Sequence, residues 1–228
     1  MGLDNENSSE IFLTIFQGMM ARRVAEGTPD SKMRIKKGGD EVHELHFDTL
    51  NGYLDDIKLE DPPDSNPQWG KSWIFMIEDG NDVFKLRLGA KGREAHAFLA
   101  RLPKIDFSQP IKIKTYWIEG EDKIWRGFLA IHQGGEKIEP WYTKEEPHGL
   151  PDLVKTVVDD EVHWDGSERR DFFLKLVTDK ILPKIKEERP LSGAGTIEPV
   201  VAEQKEEVVP EPTVEDVPEY PPDDDLPF

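Results

Sequence analysis

The sequence has no cysteine among its 228 residues. That excludes a disulfide framework, a thiolate metal site and a cysteine nucleophile. No apolar run approaches the roughly 20 residues that a membrane-spanning helix needs. The opening residues Met1, Gly2, Leu3, Asp4, Asn5 and Glu6 are acidic where a secretory signal is basic, and no apolar signal core follows. Basic residues are in deficit: 29 Lys and Arg stand against 47 Asp and Glu, a formal charge of −18. Taken whole, this predicts a soluble protein of cytoplasmic type with no membrane partner. It also argues against nucleic acid as a ligand, because binders of nucleic acid usually carry a basic balance.

The charge is not evenly spread. Residues 190–228 hold eleven acids, one base (Lys205) and eight prolines, for a charge of −10. Such a segment cannot bury enough apolar surface to offset its ordering entropy, so the composition predicts a disordered acidic tail. The body, residues 1–189, keeps −8. Within it, residues 85–114 carry eight bases against two acids, Glu94 and Asp106. A second basic cluster is Lys32, Arg34, Lys36 and Lys37. An acidic chain therefore contains locally basic stretches, and the acidic tail is placed to compete with nucleic acid for them.

Pattern predicts a mainly β body. Residues 11–24 read as a strand on their β-branched and aromatic content. A turn signal at Thr28, Pro29, Asp30 and Ser31 leads into an alternation from Lys32. Strands follow at 52–59, 73–78 and 83–88, the last two joined by the hairpin turn at Asp79, Gly80, Asn81 and Asp82. Ala95, Phe98, Leu99 and Leu102 then form one helical stripe, which Pro103 ends. Period two returns at 111–118 and, past a turn at Gly120, Glu121 and Asp122, at 124–132. Residues 143–165 read as loop. Phe173, Leu174, Val177 and Ile181 mark a final helix, capped by Asp165 or Ser167, that Pro183 should end or kink. The order over 52–132 is three strands, a helix and two strands. That is the order of an OB-fold, a five-stranded β-barrel that binds oligonucleotides. The expectation is an OB barrel with an added N-terminal hairpin, a C-terminal helix and the tail.

Single-stranded nucleic acid needs cations for its phosphates and rings for its bases, each stacked base contributing about 1–3 kcal/mol. The candidate DNA-binding residues are Lys32, Arg34, Lys36, Trp73, Phe75, Lys85, Arg87, Lys112, Lys114, Tyr116, Arg126 and Phe128. Enzyme signals are weak. His43, Glu44, Leu45 and His46 fall one residue short of a His-Glu-x-x-His zinc helix, and Gly89, Ala90, Lys91, Gly92 and Arg93 lack the ending of a phosphate-binding loop. No enzyme activity, cofactor or metal is expected.

The chain ends in Asp223, Asp224, Asp225, Leu226, Pro227 and Phe228. This ending closely resembles the acidic tip of bacterial-type single-stranded DNA-binding proteins. The resemblance implies an OB-fold domain, a flexible linker and a tip that recruits replication, recombination or repair proteins. Phe228 would be the anchor in a partner's pocket, Pro227 and Leu226 its apolar neighbours, and Asp223, Asp224 and Asp225 the electrostatic contacts. The linker here is rich in Pro, Glu and Val instead of Gly and Gln, and some fifty residues precede the first OB strand. The body therefore looks like a divergent, phage-encoded type acting in a bacterial or phage-infected host cell. Two alternatives stand beside it: a protein-interaction adaptor or DNA mimic with an OB-like domain, and a DNA-processing enzyme with an accessory barrel.

Overall fold

A computed structural model describes residues 10–36, 39–62, 64, 67, 70–119, 125–158 and 161–189. The tail with its tip, Lys37 and the turn at Gly120, Glu121 and Asp122 lie outside the described residues.

The chain is mainly β. The strands are β1 (Glu10–Phe16), β2 (Met19–Val24), β3 (Lys32–Ile35), β4 (Glu41–Phe47), β5 (Thr49–Glu60), β6 (Ser72–Asp79), β7 (Asp82–Gly89), β8 (Ile111–Glu119), β9 (Trp125–Gln133) and β10 (Glu136–Lys137). They form one ten-stranded sheet in the order β10-β9-β8-β5-β6-β7-β1-β2-β4-β3. A separate hairpin, β11 (Val154–Val158) and β12 (Glu161–Asp165), lies where a loop was expected. Only Val162 and Trp164 of β12 alternate with polar residues, within a stretch whose prolines and acids dominate the local composition.

The expected closed barrel is not what the sheet forms, since it keeps two ends, β10 and β3. The reason lies in the N-terminal segment. β1 runs parallel along β7, from Glu10 opposite Val83 to Thr14 opposite Arg87, and occupies that edge. Residues 11–24 are not one strand but two, turned at Gln17 (φ 49°) and Gly18 (φ 68°). A Cβ at Gly18 would stand 2.7 Å from Trp117 Cβ, so the tight turn packs against β8 only because this residue is glycine. The added hairpin is thus a four-stranded extension, β1 to β4, of the same sheet.

β5 is the hinge of the architecture. Its first residues, Thr49 to Gly52, pair with β8, and from Tyr53 onward it pairs with β6, with a bulge at Asp55. Gly52 sits at the changeover with φ 152°, and a Cβ there would lie 2.5 Å from the Glu78 carbonyl oxygen. Gly52→Ala should therefore cost about 3 kcal/mol of stability, read as a lowered denaturant midpoint, because a backbone carbonyl cannot move aside as a side chain can.

One face of the sheet carries the core. Trp73, Phe75 and Ile77 of β6 and Leu86 and Leu88 of β7 are all buried. Helix α1 (Arg93–Leu99) covers them with the expected stripe, and Phe98 stacks on Phe75 at 4.0 Å between ring centroids. Arg101, buried at the end of this helix, donates to the carbonyls of Ala97 (2.7 Å) and Ile138 (2.8 Å). The last helix runs as α2 (Ser167–Leu176), a wide turn (Val177–Ile181) and α3 (Leu182–Glu188). Asp165 accepts the Ser167 N–H at its start. Pro183 neither ends it nor leaves a carbonyl clash, because the wide turn opens the ladder just before the proline, which then stands in the first turn of α3 where no N–H is needed. Phe173, Val177, Ile181 and Ile185 face the core. Arg189, just past α3, pairs with both Asp55 in the β5 bulge and Glu78 on β6, which fixes the helix end to the sheet.

His96 of α1 has both ring nitrogens shut off from solvent and packs edge-on to Phe173 at 5.4 Å. Burial first, then the charges of Arg169 and Arg101, push its pKa down to about 4 from 6.5. Its depressed folded value means that the unfolded chain takes up the proton first as pH falls. The stability it contributes is complete above about pH 6.5 and is lost between there and about pH 4, about 3 kcal/mol in all. Denaturant titrations at the two ends of that window should show this loss in the native chain, and His96→Phe should remove most of the difference.

Candidate nucleic-acid interface

The predicted cations fall into three places. On β7, Lys85 and Arg87 point away from the core, but each meets a carboxylate: Lys85 pairs with Glu10 at 2.7 Å and Arg87 with Glu60 at 3.0 Å. Lys58, on the same face, pairs with Asp56 at 2.8 Å. On the N-terminal extension, Arg34 forms a two-pronged contact with Glu44 at 2.7 and 2.8 Å and lies over the Phe16 ring at 4.3 Å. Burial pushes the Glu44 carboxyl up, but the Arg34 hydrogen bonds and charge, aided by His46, outweigh it and hold the carboxyl below its ordinary value. Lys36 pairs with Asp40 at 3.4 Å. Lys32 is exposed and, among the described residues, has no side-chain partner.

The third place differs. Antiparallel register sets Lys112 opposite His132, Lys114 opposite Ala130, Tyr116 opposite Phe128 and Ile118 opposite Arg126 on one face of β8 and β9. The other face, with Ile111, Ile113, Leu129 and Ile131, is core. β5 adds Thr49 beside Lys114 and Asn51 beside Lys112, and β10 adds Lys137 beside His132. A row Asn51, Lys112, His132, Lys137 thus crosses four strands, roughly 14 Å wide. None of the residues placed on this face by the register is acidic. Neither Lys112 nor Lys114 has an ion-pair partner among the described residues, and Lys137 pairs with Glu139 at 3.7 Å. Next along the face, Tyr116 lies nearly parallel to Phe128 (17°, 5.8 Å between centroids). Tyr116 is half-buried, whereas Phe128 is only 9% exposed, so Tyr116 presents the ring surface and Phe128 backs it. Arg126 stands half-buried at the far end.

No family model, curated protein or solved structure matches this chain.

Two of the predicted stacking rings are corrected outright. Trp73 is 1% exposed and Phe75 is fully buried, so neither ring can meet a base. Both share the parity of Ile77, and α1 covers that face. The expected single groove lined by Lys85, Arg87, Lys112 and Lys114 is likewise not assembled. Through β6, Lys85 and Arg87 stand level with Asp56 and Lys58 of β5, whereas Lys112 and Lys114 stand level with Asn51 and Thr49. The offset along β5 is roughly 20 Å.

Sequence reasoning missed two residues of the cationic row and one exposed ring at the end of α1. His132 and Lys137 were legible in principle, because the turn at Gly134 and Gly135 returns the chain onto β9. Trp141, just beyond β10, is 40% exposed and stacks on His148 at 4.3 Å, with Lys104 over its ring at 5.9 Å. No local pattern marks it. Among the described residues, no group of three or more His, Asp or Glu converges as a metal site.

Proposed function

We propose that this chain binds single-stranded DNA, without catalysing a reaction, and recruits partner proteins of replication, recombination or repair through its terminal Asp-Asp-Asp-Leu-Pro-Phe. The observation that carries the reading is the face of β8 and β9, where the strand register places no acid and where, among the described residues, Lys112 and Lys114 have no ion-pair partner beside the stacked rings of Tyr116 and Phe128. Cations without carboxylate partners are free to replace the counterions of a phosphate backbone, and a half-exposed tyrosine offers a face for an unpaired base. The strand order from β5 through α1 to β9, with β5 pairing on both sides, supports an OB-like reading of this part of the sheet.

The test is a titration of labelled oligo-dT and of an equally long duplex into the full chain. Tighter binding of dT, with tryptophan fluorescence changing in step, is expected. Equal or negligible binding of both overturns the reading. Removal of Phe228 alone should abolish capture of replication or repair proteins while leaving dT affinity within about twofold, because the substitution removes no cation and no ring of the β8–β9 face.

A second reading, an adaptor that binds protein, draws on a different observation. The cations of β7, Arg34 and Lys36 are all neutralised by neighbouring acids, so the basic surface is one restricted face and not a continuous groove. Capture of a protein through that face with no dT binding would favour it.

A further inference from the structure

We propose that His132 is a further phosphate-contacting residue of the β8–β9 face, and that its imidazole takes up a proton from solvent when a nucleic-acid backbone lies between Lys112 and Lys137. The inference rests on the single-stranded DNA reading above and adds to it a contact and its regulation.

His132 occupies the middle of the row, directly opposite Lys112 on β8 and Lys137 on β10. A strand held by the two lysines must pass over the imidazole between them. The charged groups that act on it are Lys114 and Lys112 from β8, Lys137 from β10 and, least, Arg101, which is buried at the end of α1. All four are cations. The strand register puts no acid opposite it, and Glu139 pairs with Lys137 at 3.7 Å. Half-burial and this ring of positive charge hold the imidazole below its ordinary value of 6.5, burial being the larger cause and Lys114, Lys112 and Lys137 following. The free protein therefore keeps His132 neutral at neutral pH.

A phosphate backbone changes those terms in one direction. It neutralises the lysines, which removes their repulsion of a fourth positive charge. It also places an anionic oxygen where a protonated ring nitrogen can donate to it. The bound state thus favours imidazolium, and its pKa rises above the free value. By linkage, affinity must then increase as pH falls through the window between the two values, and stay flat above it. One group can contribute at most a tenfold change per pH unit, with at most one proton taken up per site.

The experiment uses the full chain and oligo-dT, whose bases have no group that titrates in this range. Affinity is measured at fixed ionic strength from about pH 8 to about pH 5.5, a range that brackets histidine. Proton uptake is measured by calorimetry in two buffers of different ionisation enthalpy. Expected are an affinity that rises by about tenfold across the range and a net uptake of a fraction of a proton near pH 6.5, both lost in His132→Gln. Binding of dT with no proton uptake, or uptake that persists unchanged in His132→Gln, overturns this inference and leaves the single-stranded DNA reading standing. No dT binding at any pH overturns that reading, and this one with it. The uptake measurement on the native chain needs no variant, so a destabilised His132→Gln would not obscure the outcome.

Discussion

Lys112→Glu combined with Lys114→Glu is expected to weaken oligo-dT binding by at least about 100-fold, with the fold intact. Each lysine that meets a phosphate makes a charge-assisted contact of about 1.5–3 kcal/mol, and 1.4 kcal/mol is tenfold in affinity. Both side chains leave the sheet on its solvent face and pack against nothing in the core, so their reversal leaves stability within about 0.5 kcal/mol. The slope of log affinity against log salt should fall by about 1.4, two contacts at about 0.7 each for a single strand. The control is Lys85→Glu with Arg87→Glu. Those cations already spend their charge on Glu10 and Glu60, so their loss should change dT affinity far less. A result in the opposite order, with β7 dominant, would move the interface to the other part of the sheet.

Phe75→Ala should have the largest effect on stability, about 3–5 kcal/mol, seen as a lowered denaturant midpoint. Phe75 is fully buried, stacks on Phe98 and lies beside Trp73 and Ile77 under α1. Removing it leaves a cavity that the surrounding core can only partly fill. Under conditions where the variant remains folded, dT affinity should match that of the native chain. That pair of results separates a core ring from a base platform. A Phe75→Ala protein of native stability that fails to bind dT would show the ring to be exposed and the packing described here to be wrong.

The contrast between Phe75 and Tyr116 shows where a sequence stops being readable. Both rings stand in alternating strands next to cations. Parity divides each strand into two faces, but it does not say which face a helix will cover. α1 answers that for β6, because its Phe98 stripe lands on Phe75. Similarly, Lys85 and Lys112 look equivalent in a basic stretch. They differ only because Glu10, far away in the chain, is brought to Lys85 by the parallel pairing of β1 with β7. No window around residue 85 contains that acid. The same pairing explains why the barrel expected from the element order does not close, since β1 takes the edge of β7. The splitting of residues 11–24 was within reach, as Gly18 interrupts the pattern. The hairpin β11–β12 was hidden by prolines and acids around a short alternation.

By itself the sequence determined the mainly β character, the helix after the third strand of the 52–132 segment, the apolar stripe of α1, that of the last helix except for Leu174, which is exposed, and the unequal partition of charge between body and tail. These follow from periodicity and composition, which are local properties of the chain. Only the tertiary structure decided which basic residues remain available. Charge is neutralised by whatever lies within a few ångströms in space, and strand register brings together residues tens of positions apart. That is why, within one basic stretch, the two cations of β7 are neutralised while the two of β8 have no ion-pair partner among the described residues, the pair on which the proposed function rests.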